Sequence, residues 1–280
     1  GANHKGEIAA LCAISEPDYG LITNIGKAHL EGFGGEEGII EGKGEMFDFL
    51  LNNGSVAFYN SSLPHLSDMI AKRVGLRSVA YNSSLITTNH LSSIDGISFI
   101  YKDQNVTTHL TGEYNLYNVL TAIAVGCYFD VEDADIISAI SSYIPHNMRS
   151  QLMETSVNRV IVDAYNANPS SMSEALKNFN RHAATKRCYI LGQMNELGSY
   201  SAKEHAAVVS EVESVMVKNR YAVAIYVGKE FRGLSSSSKA IWFETAAQAH
   251  EHLKIHKLSG YDILLKGSRG VELEKLLDLL

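Results

Sequence analysis

Four short stretches of this sequence gather amides, hydroxyls, cations and glycines at the ends of apolar runs. They are Gly26-Lys27-Ala28-His29-Leu30-Glu31-Gly32-Phe33-Gly34, Asp163-Ala164-Tyr165-Asn166-Ala167-Asn168-Pro169, Gly192-Gln193-Met194-Asn195-Glu196-Leu197-Gly198 and Lys266-Gly267-Ser268-Arg269-Gly270. Such groups suit the binding of a phosphate or carboxylate, because guanidinium, ammonium and N–H donors make strong charge-assisted bonds to anions. Each stretch also has a plain structural reading. Asn168-Pro169 is a good helix start, with Asn as the cap and Pro in the first turn. Gly267-Ser268-Arg269-Gly270 reads equally as a turn. A lone His29 reads first as a hydrogen-bonded loop residue, and Lys43 as a solvated charge. What favours a ligand is position: all four stretches follow predicted strands, on the edge where open α/β sheets bind their ligands.

The elements that must position these stretches follow from periodicity. Tyr19–Ile25 reads as a buried strand, followed by a helix from Glu36 to about Leu51 whose start is weakened by Gly38, Gly42 and Gly44. Ser55–Tyr59 is a strand and Leu63–Val74 a helix opened by Pro64. Strands are expected at Ser78–Tyr81, Ile97–Tyr101 and Thr107–Leu110, the last two as a hairpin turning at Lys102–Val106. Helices at about Leu116–Phe129 and Ala134–Tyr143 end at Pro145, and Ile144–Thr155 is polar and irregular. Beyond it, strands Arg159–Ala164, Arg187–Leu191, Ala222–Val227, Ala240–Phe243 and Asp262–Lys266 alternate with helices Ser171–His182, Ala202–Lys218, Thr245–His256 and Val271–Leu280. That alternation predicts a parallel sheet covered on both faces. The expected division is 1–146 and 147–280.

Composition narrows the function classes. With 280 residues, 45% hydrophobic and 20% charged, the chain has the make-up of a globular protein able to bury its own core. A formal net charge of −7 disfavours nucleic acid as the main partner. Membrane association and a signal peptide are not expected, since no apolar run has the needed length. Cys12, Cys127 and Cys188 lie far apart and are read as reduced thiols of a cytoplasmic protein. The phosphate-loop pattern is missing. Around Gly42-Lys43-Gly44, the first glycine position is Glu37, and Gly44 stands where Ser or Thr is needed. Gly32-Phe33-Gly34 fails the dinucleotide fingerprint because Glu37 takes the third glycine position.

The long motifs carry a resemblance. Gly1-Ala2-Asn3-His4, Pro17-Asp18 through Gly34, Gly112-Glu113-Tyr114-Asn115-Leu116-Tyr117-Asn118, Asn147-Met148-Arg149-Ser150-Gln151, Asp163 through Pro169 and Lys266 through Arg269 occur in the order seen in the Mur ligase family. The likeness extends over essentially the whole chain. It implies an α/β fold: a partial central ATPase domain with a mixed, mostly parallel sheet over 1–146, then a Rossmann-like C-terminal domain over 147–280. It also implies that the family's N-terminal domain, phosphate loop and acidic metal ligand precede Gly1, so this chain by itself is not expected to ligate.

The implied activity is amide-bond formation in bacterial peptidoglycan precursor synthesis. ATP phosphorylates a carboxylate, and an amine then displaces phosphate. Within the family, the motifs are most like the branch that joins D-alanyl-D-alanine to a UDP-N-acetylmuramoyl tripeptide, so ATP, Mg²⁺ and those two substrates are the expected cofactors and partners, acting on a monomer. The resemblance gives His29 a magnesium role and Lys43 the place of a carbamylated lysine that helps hold the metal. Asn115 and Asn118 fall near the adenine, Arg149 at the ATP phosphates and Asp163 at the ribose. Asn166, Asn168, Lys266, Ser268 and Arg269 fall on the face that receives peptide and dipeptide. Two departures touch substrate contacts. Gln193 replaces a more usual Asp, and Asn60-Ser61-Ser62 stands where relatives often carry an acidic pair. Alternatives are another Mur ligase, a folylpolyglutamate-synthase-like ligase, a non-catalytic nucleotide or peptide module, and a Rossmann-type dehydrogenase. An amine panel separates the first two, calorimetry the third and NAD binding the fourth.

Overall fold

The structure is a computed structural model that describes residues 2–27, 29–93, 96–146 and 148–280. The chain divides into two compact units. The first takes Gly1–Ser92, Ile97–Thr108 and Glu113–Tyr143, and Ile144–Leu280 forms the bulk of the second.

In the first unit, α1 (Glu7–Ser15) precedes strand β1 (Tyr19–Leu21). A short helix, α2 (Leu30–Phe33), and a long one, α3 (Glu36–Asn52), lead to β2 (Val56–Asn60). Next come α4 (Pro64–Ala71) and β3 (Arg77–Tyr81). The three strands pair in parallel in the order β1-β2-β3. Phe47 and Leu50 of α3, Leu66 and Met69 of α4, and Ala57 of β2 share one apolar core. The glycines of α3 are packing devices. A Cβ at Gly38 would collide with the Phe33 carbonyl, and one at Gly42 with the Phe33 ring, so α2 can lie directly on the helix. That close approach offsets the helix-propensity cost read from the sequence.

A separate three-stranded sheet follows, ordered β4 (Thr87–Ser93), β5 (Gly96–Tyr101), β6 (Gln104–Thr107). The hairpin is tighter than expected. Tyr101 pairs with Gln104 across Lys102 and Asp103, whose φ angles are 49° and 62°, as a two-residue turn with left-handed central residues requires. The second hairpin strand therefore starts before Thr107 and ends there. Helices α5 (Tyr114–Tyr128) and α6 (Asp133–Ser142) close the unit. Other corrections are that β1 ends at Leu21 rather than Ile25, and that α1 and β4 were not expected.

The second unit contains β7 (Gln151–Glu154), β8 (Arg159–Asp163), α7 (Pro169–Arg181), β9 (Arg187–Gly192), α8 (Ser201–Lys218), β10 (Ala222–Val227), β11 (Ala240–Phe243), α9 (Ala246–Ile255) and β12 (Asp262–Lys266). Its sheet runs β11-β10-β9-β12-β8-β7. The pairs β8–β12, β12–β9, β9–β10 and β10–β11 are parallel, and the strands read as near-continuous apolar runs because helices cover them. One edge departs from the expected parallel sheet. β7 pairs antiparallel with β8, inside the stretch read as irregular. The chain end differs too. Arg269–Val271 and Leu273–Leu279 are 3₁₀ turns broken at Glu272, whose φ of 59° no continuous helix accommodates. Among the described residues, no helix is long and apolar enough to cross a membrane.

Candidate active site

The four polar stretches do not share one edge. Gly26–Gly34 belongs to the first unit, after β1. The other three lie together at the carboxyl ends of β8, β9 and β12, which are neighbours in the second sheet.

In the first unit, the chain leaves the ladder after Leu21 and the Asn24 carbonyl accepts a bond from Lys43 Nζ at 2.9 Å. Lys43 is half-buried on α3, and that burial holds its ammonium below the ordinary lysine range. A lysine so placed has a larger share of neutral, nucleophilic amine than a surface lysine. His29, half-buried, sits at φ 55° and its carbonyl accepts from Phe33 N, starting α2. Asn115 and Asn118 are brought together on α5. Asn118 Nδ2 donates to Asn115 Oδ1 at 2.9 Å, with Asn115 buried and Asn118 exposed. The Tyr81 hydroxyl, 2.6 Å from Thr121 Oγ1, ties that helix to β3.

Among the described residues no three His, Cys, Asp or Glu side chains cluster to hold a metal, and Mg²⁺ prefers oxygen ligands. A lysine ammonium offers none.

The second unit's edge is heavily cross-tied. Asp163 and Lys266 are register partners on β8 and β12, and Lys266 Nζ donates to Asp163 Oδ2 at 2.5 Å. Lys266 is 1% exposed, so its charge faces Asp163 and the Asn166 carbonyl rather than solvent. Both were expected to touch ligand directly. In this arrangement each is occupied by the other, and together they brace the loop after β8.

Ser268 is also buried. Its Oγ accepts from Asn195 N at 3.0 Å and donates to the Ala167 carbonyl at 3.3 Å, while its N–H donates to the Gln193 carbonyl. One hydroxyl thus joins all three loops. Asn168 caps α7: its Oδ1 accepts from Ser171 N and its N–H donates to Ser171 Oγ, with Pro169 in the first turn. The plain reading of that motif holds. Asn166 is exposed, and its Oδ1 accepts from Ala167 N.

Above this base stands an aromatic contact that sequence reading missed. The Arg149 guanidinium lies 4.1 Å from the centre of the Tyr165 ring, and that of Arg269 lies 5.7 Å from it. Both arginines are exposed, and neither has a carboxylate partner among the described residues. Met148 and Ser150, on either side of Arg149, have φ of 54° and 51°. Tyr165 N donates to the Met148 carbonyl at 3.3 Å. Left-handed backbone at two non-glycine residues is costly and persists where the surroundings impose it. Here it lays Arg149 on Tyr165. Two exposed cations on one ring make an anion-receptive surface. The only signal for Tyr165 in the sequence was its place inside the Asp163–Pro169 motif.

Comparison with known proteins agrees with both units. Residues 1–126 match the Mur ligase middle domain, and residues 148–269 match the Mur ligase glutamate ligase domain. The UDP-N-acetylmuramoyl-tripeptide–D-alanyl-D-alanine ligase of Treponema pallidum is 31% identical, over 100% of this chain and 61% of that protein. The Bacillus subtilis ligase of the same name is 29% identical, over 99% of this chain and 62% of its own length. MurF from Acinetobacter baumannii superposes with a TM-score of 0.82 at 25% identity, covering 99% of this chain and 62% of that one. MurF ligase from Thermotoga maritima, solved with ADP, gives a TM-score of 0.81 at 22% identity and shares the fold, over 99% of this chain and 65% of its own. The chain thus spans about three fifths of the length of the curated relatives it matches. With two consecutive domain matches and full-chain structural likeness, the chain belongs to the Mur ligase family.

Proposed function

We propose that this protein serves an ATP-dependent ligase reaction joining D-alanyl-D-alanine to UDP-N-acetylmuramoyl-tripeptide in the bacterial cytoplasm, acting as a monomer. Residues 1–146 take most of the nucleotide part of the work, and 147–280 the amine substrate, with Arg149 and Asp163 of the latter assigned to the phosphates and ribose. The observation that carries the reading is the braced edge of the second unit, with the exposed Arg149 and Arg269 on Tyr165 beside Asn166. Cationic forks on a rigid base suit a carboxylate-bearing dipeptide and a phosphate leaving group. The names of the curated relatives support the choice of substrates.

In the proposed reaction the γ-phosphoryl group of ATP passes to the terminal carboxylate of the tripeptide, giving an acyl phosphate and ADP. The amine nitrogen of D-alanyl-D-alanine bonds to the acyl carbon. The bond from carbon to the phosphate oxygen then breaks, and the amine loses a proton. Arg149 stabilises phosphate charge as it shifts to the leaving group, and Arg269 pairs with the dipeptide carboxylate. Asn166 and the backbone held by Asn168 and Ser268 orient the dipeptide. Asn115 and Asn118 offer amide edges to adenine. Asp163, braced by Lys266, would hold the ribose. Lys43, whose amine burial favours the neutral form, is assigned the carbamate role, and once carbamylated it would, together with His29, give the chain's contacts to magnesium brought with the nucleotide. Magnesium supplies charge neutralisation of the phosphates when bound.

Calorimetry tests this on the 280-residue chain with ATP, D-alanyl-D-alanine, the UDP-tripeptide and NAD. Binding of D-alanyl-D-alanine that is lost in Arg269→Ala is expected. Binding of NAD without the dipeptide would sink the reading. Dipeptide-dependent phosphate release is measured in parallel, on this chain and on the full-length Bacillus subtilis relative carrying the equivalent substitutions.

A further inference from the structure

Resting on the reading of the second unit as the amine-substrate site, we propose that His205 is a positioning residue: a neutral imidazole that latches the Gln193–Gly198 loop against Ser268 and lets go when it is protonated. No motif or resemblance pointed to it. His205 lies on α8 and is 0% exposed. Its Nε2 is 2.9 Å from Met194 N. A backbone N–H can only donate, so Nε2 must present its lone pair. The ring proton then sits on Nδ1, which donates to the Ser201 carbonyl at 2.8 Å. The edge contact with Phe231, 4.8 Å between ring centres at 84°, fixes the ring plane.

The latch reaches the ligand edge through the backbone. The residue after Met194 is Asn195, whose N–H donates to Ser268 Oγ, and that hydroxyl donates to the Ala167 carbonyl between Asn166 and Asn168. Met194 and Leu197 are each 2% exposed, which anchors the loop on both sides of Glu196. Glu196 itself is held at φ 61°. A loop that carries backbone strain beside Met194 is sensitive to losing the polar tether there.

Protonation puts a second N–H on the ring, facing the Met194 N–H, and the tether becomes a repulsion. The charged groups around the ring are Glu204 on its own helix and Glu230 from the turn after β10, the latter accepting from the Ser201 hydroxyl at 2.6 Å. Burial disfavours the cation and outweighs both carboxylates, so His205 titrates below the ordinary histidine range. The latch is closed near neutrality and opens on the acid side.

Nitrogen NMR on the 280-residue chain tests this directly. The expected result is an Nδ1–H tautomer at neutral pH, a protected Met194 amide, and loss of protection at Met194 and Asn195 as the ring protonates. His205→Gln places an amide oxygen near the Nε2 position, so it should keep D-alanyl-D-alanine affinity while removing the acid-side loss. In His205→Asn the amide oxygen stops short of the Nε2 position, and His205→Leu has no acceptor, so both should weaken binding roughly tenfold or more at every pH. Asn serves if Leu does not fold. An Nε2–H tautomer, a freely exchanging Met194 amide, or wild-type affinity in His205→Asn would overturn the latch. Failure of wild type to bind the dipeptide would refute the ligand reading instead, while the tautomer and amide measurements would still decide the latch.

Discussion

The two candidate regions are built on opposite plans. In the first unit, Lys43 meets a single backbone carbonyl, His29 starts a four-residue helix, and Asn115 and Asn118 bond to each other one helical turn apart. In the second, the ends of β8 and β12 are bonded across more than a hundred positions of sequence, Lys266 to Asp163 and Ser268 to Ala167, and Asn195 after β9 joins them through Ser268. A site of the first kind depends on local helix geometry and leaves its groups adaptable. A site of the second kind is rigid because each loop is held by another, and removing one member exposes buried polar atoms in its neighbours.

Stability measurements should separate the plans most sharply at Lys266. Lys266→Met leaves the Asp163 carboxylate without its partner in a low-dielectric site, with an expected loss of about 3–5 kcal/mol in urea unfolding. Adding Asp163→Leu should recover much of it, and a loss under 1 kcal/mol for the single variant would mean the ion pair is solvated and the edge is not rigid. Ser268→Ala comes next. It strands Asn195 N and loosens three loops, costing roughly 1–3 kcal/mol and weakening dipeptide binding together with stability. Asn168→Ala removes the α7 cap at a cost of about 1 kcal/mol, whereas Asn168→Asp should be close to neutral because its carboxylate still accepts from Ser171 N.

At the other extreme stands Lys43→Gln. The half-buried ammonium contributes little to folding, so the expected change is within about 0.5 kcal/mol. Uptake of labelled CO₂ should nevertheless disappear, and unchanged uptake in the variant would remove Lys43 from the carbamate role. The pH dependence sharpens the same contrast. His205 binds its proton less readily folded than unfolded, so its stabilising contribution is complete above the ordinary histidine range and declines as pH falls through its lowered folded value. Amide exchange should therefore rise in the Gln193–Gly198 loop on mild acidification and stay flat around Lys43.

Much of the architecture was legible in one dimension. Apolar runs such as Ala222–Val227 and Asp262–Lys266 are strands because covered parallel strands need both faces apolar. Pro64 and Pro169 open helices where the missing N–H costs nothing. Irregular-looking segments misled. Gln151–Glu154 is short and lies in a stretch read as polar and irregular, yet it pairs with β8 because an exposed edge offers ladder partners to any extended chain. Val271–Leu280 has helical periodicity, and the left-handed Glu272 breaks it.

By itself the sequence determined which residue types gather after each strand, which helix each cap begins, and the family those motifs resemble. Those properties are local: a cap, a turn or a period is decided within a few residues. Only the tertiary structure decided that Lys266 turns inward onto Asp163, that Tyr165 carries two guanidiniums, and that the first polar stretch belongs to a different sheet from the other three. These depend on β12 inserting between β8 and β9, a choice of strand order that sets which distant side chains become neighbours and that no local pattern encodes.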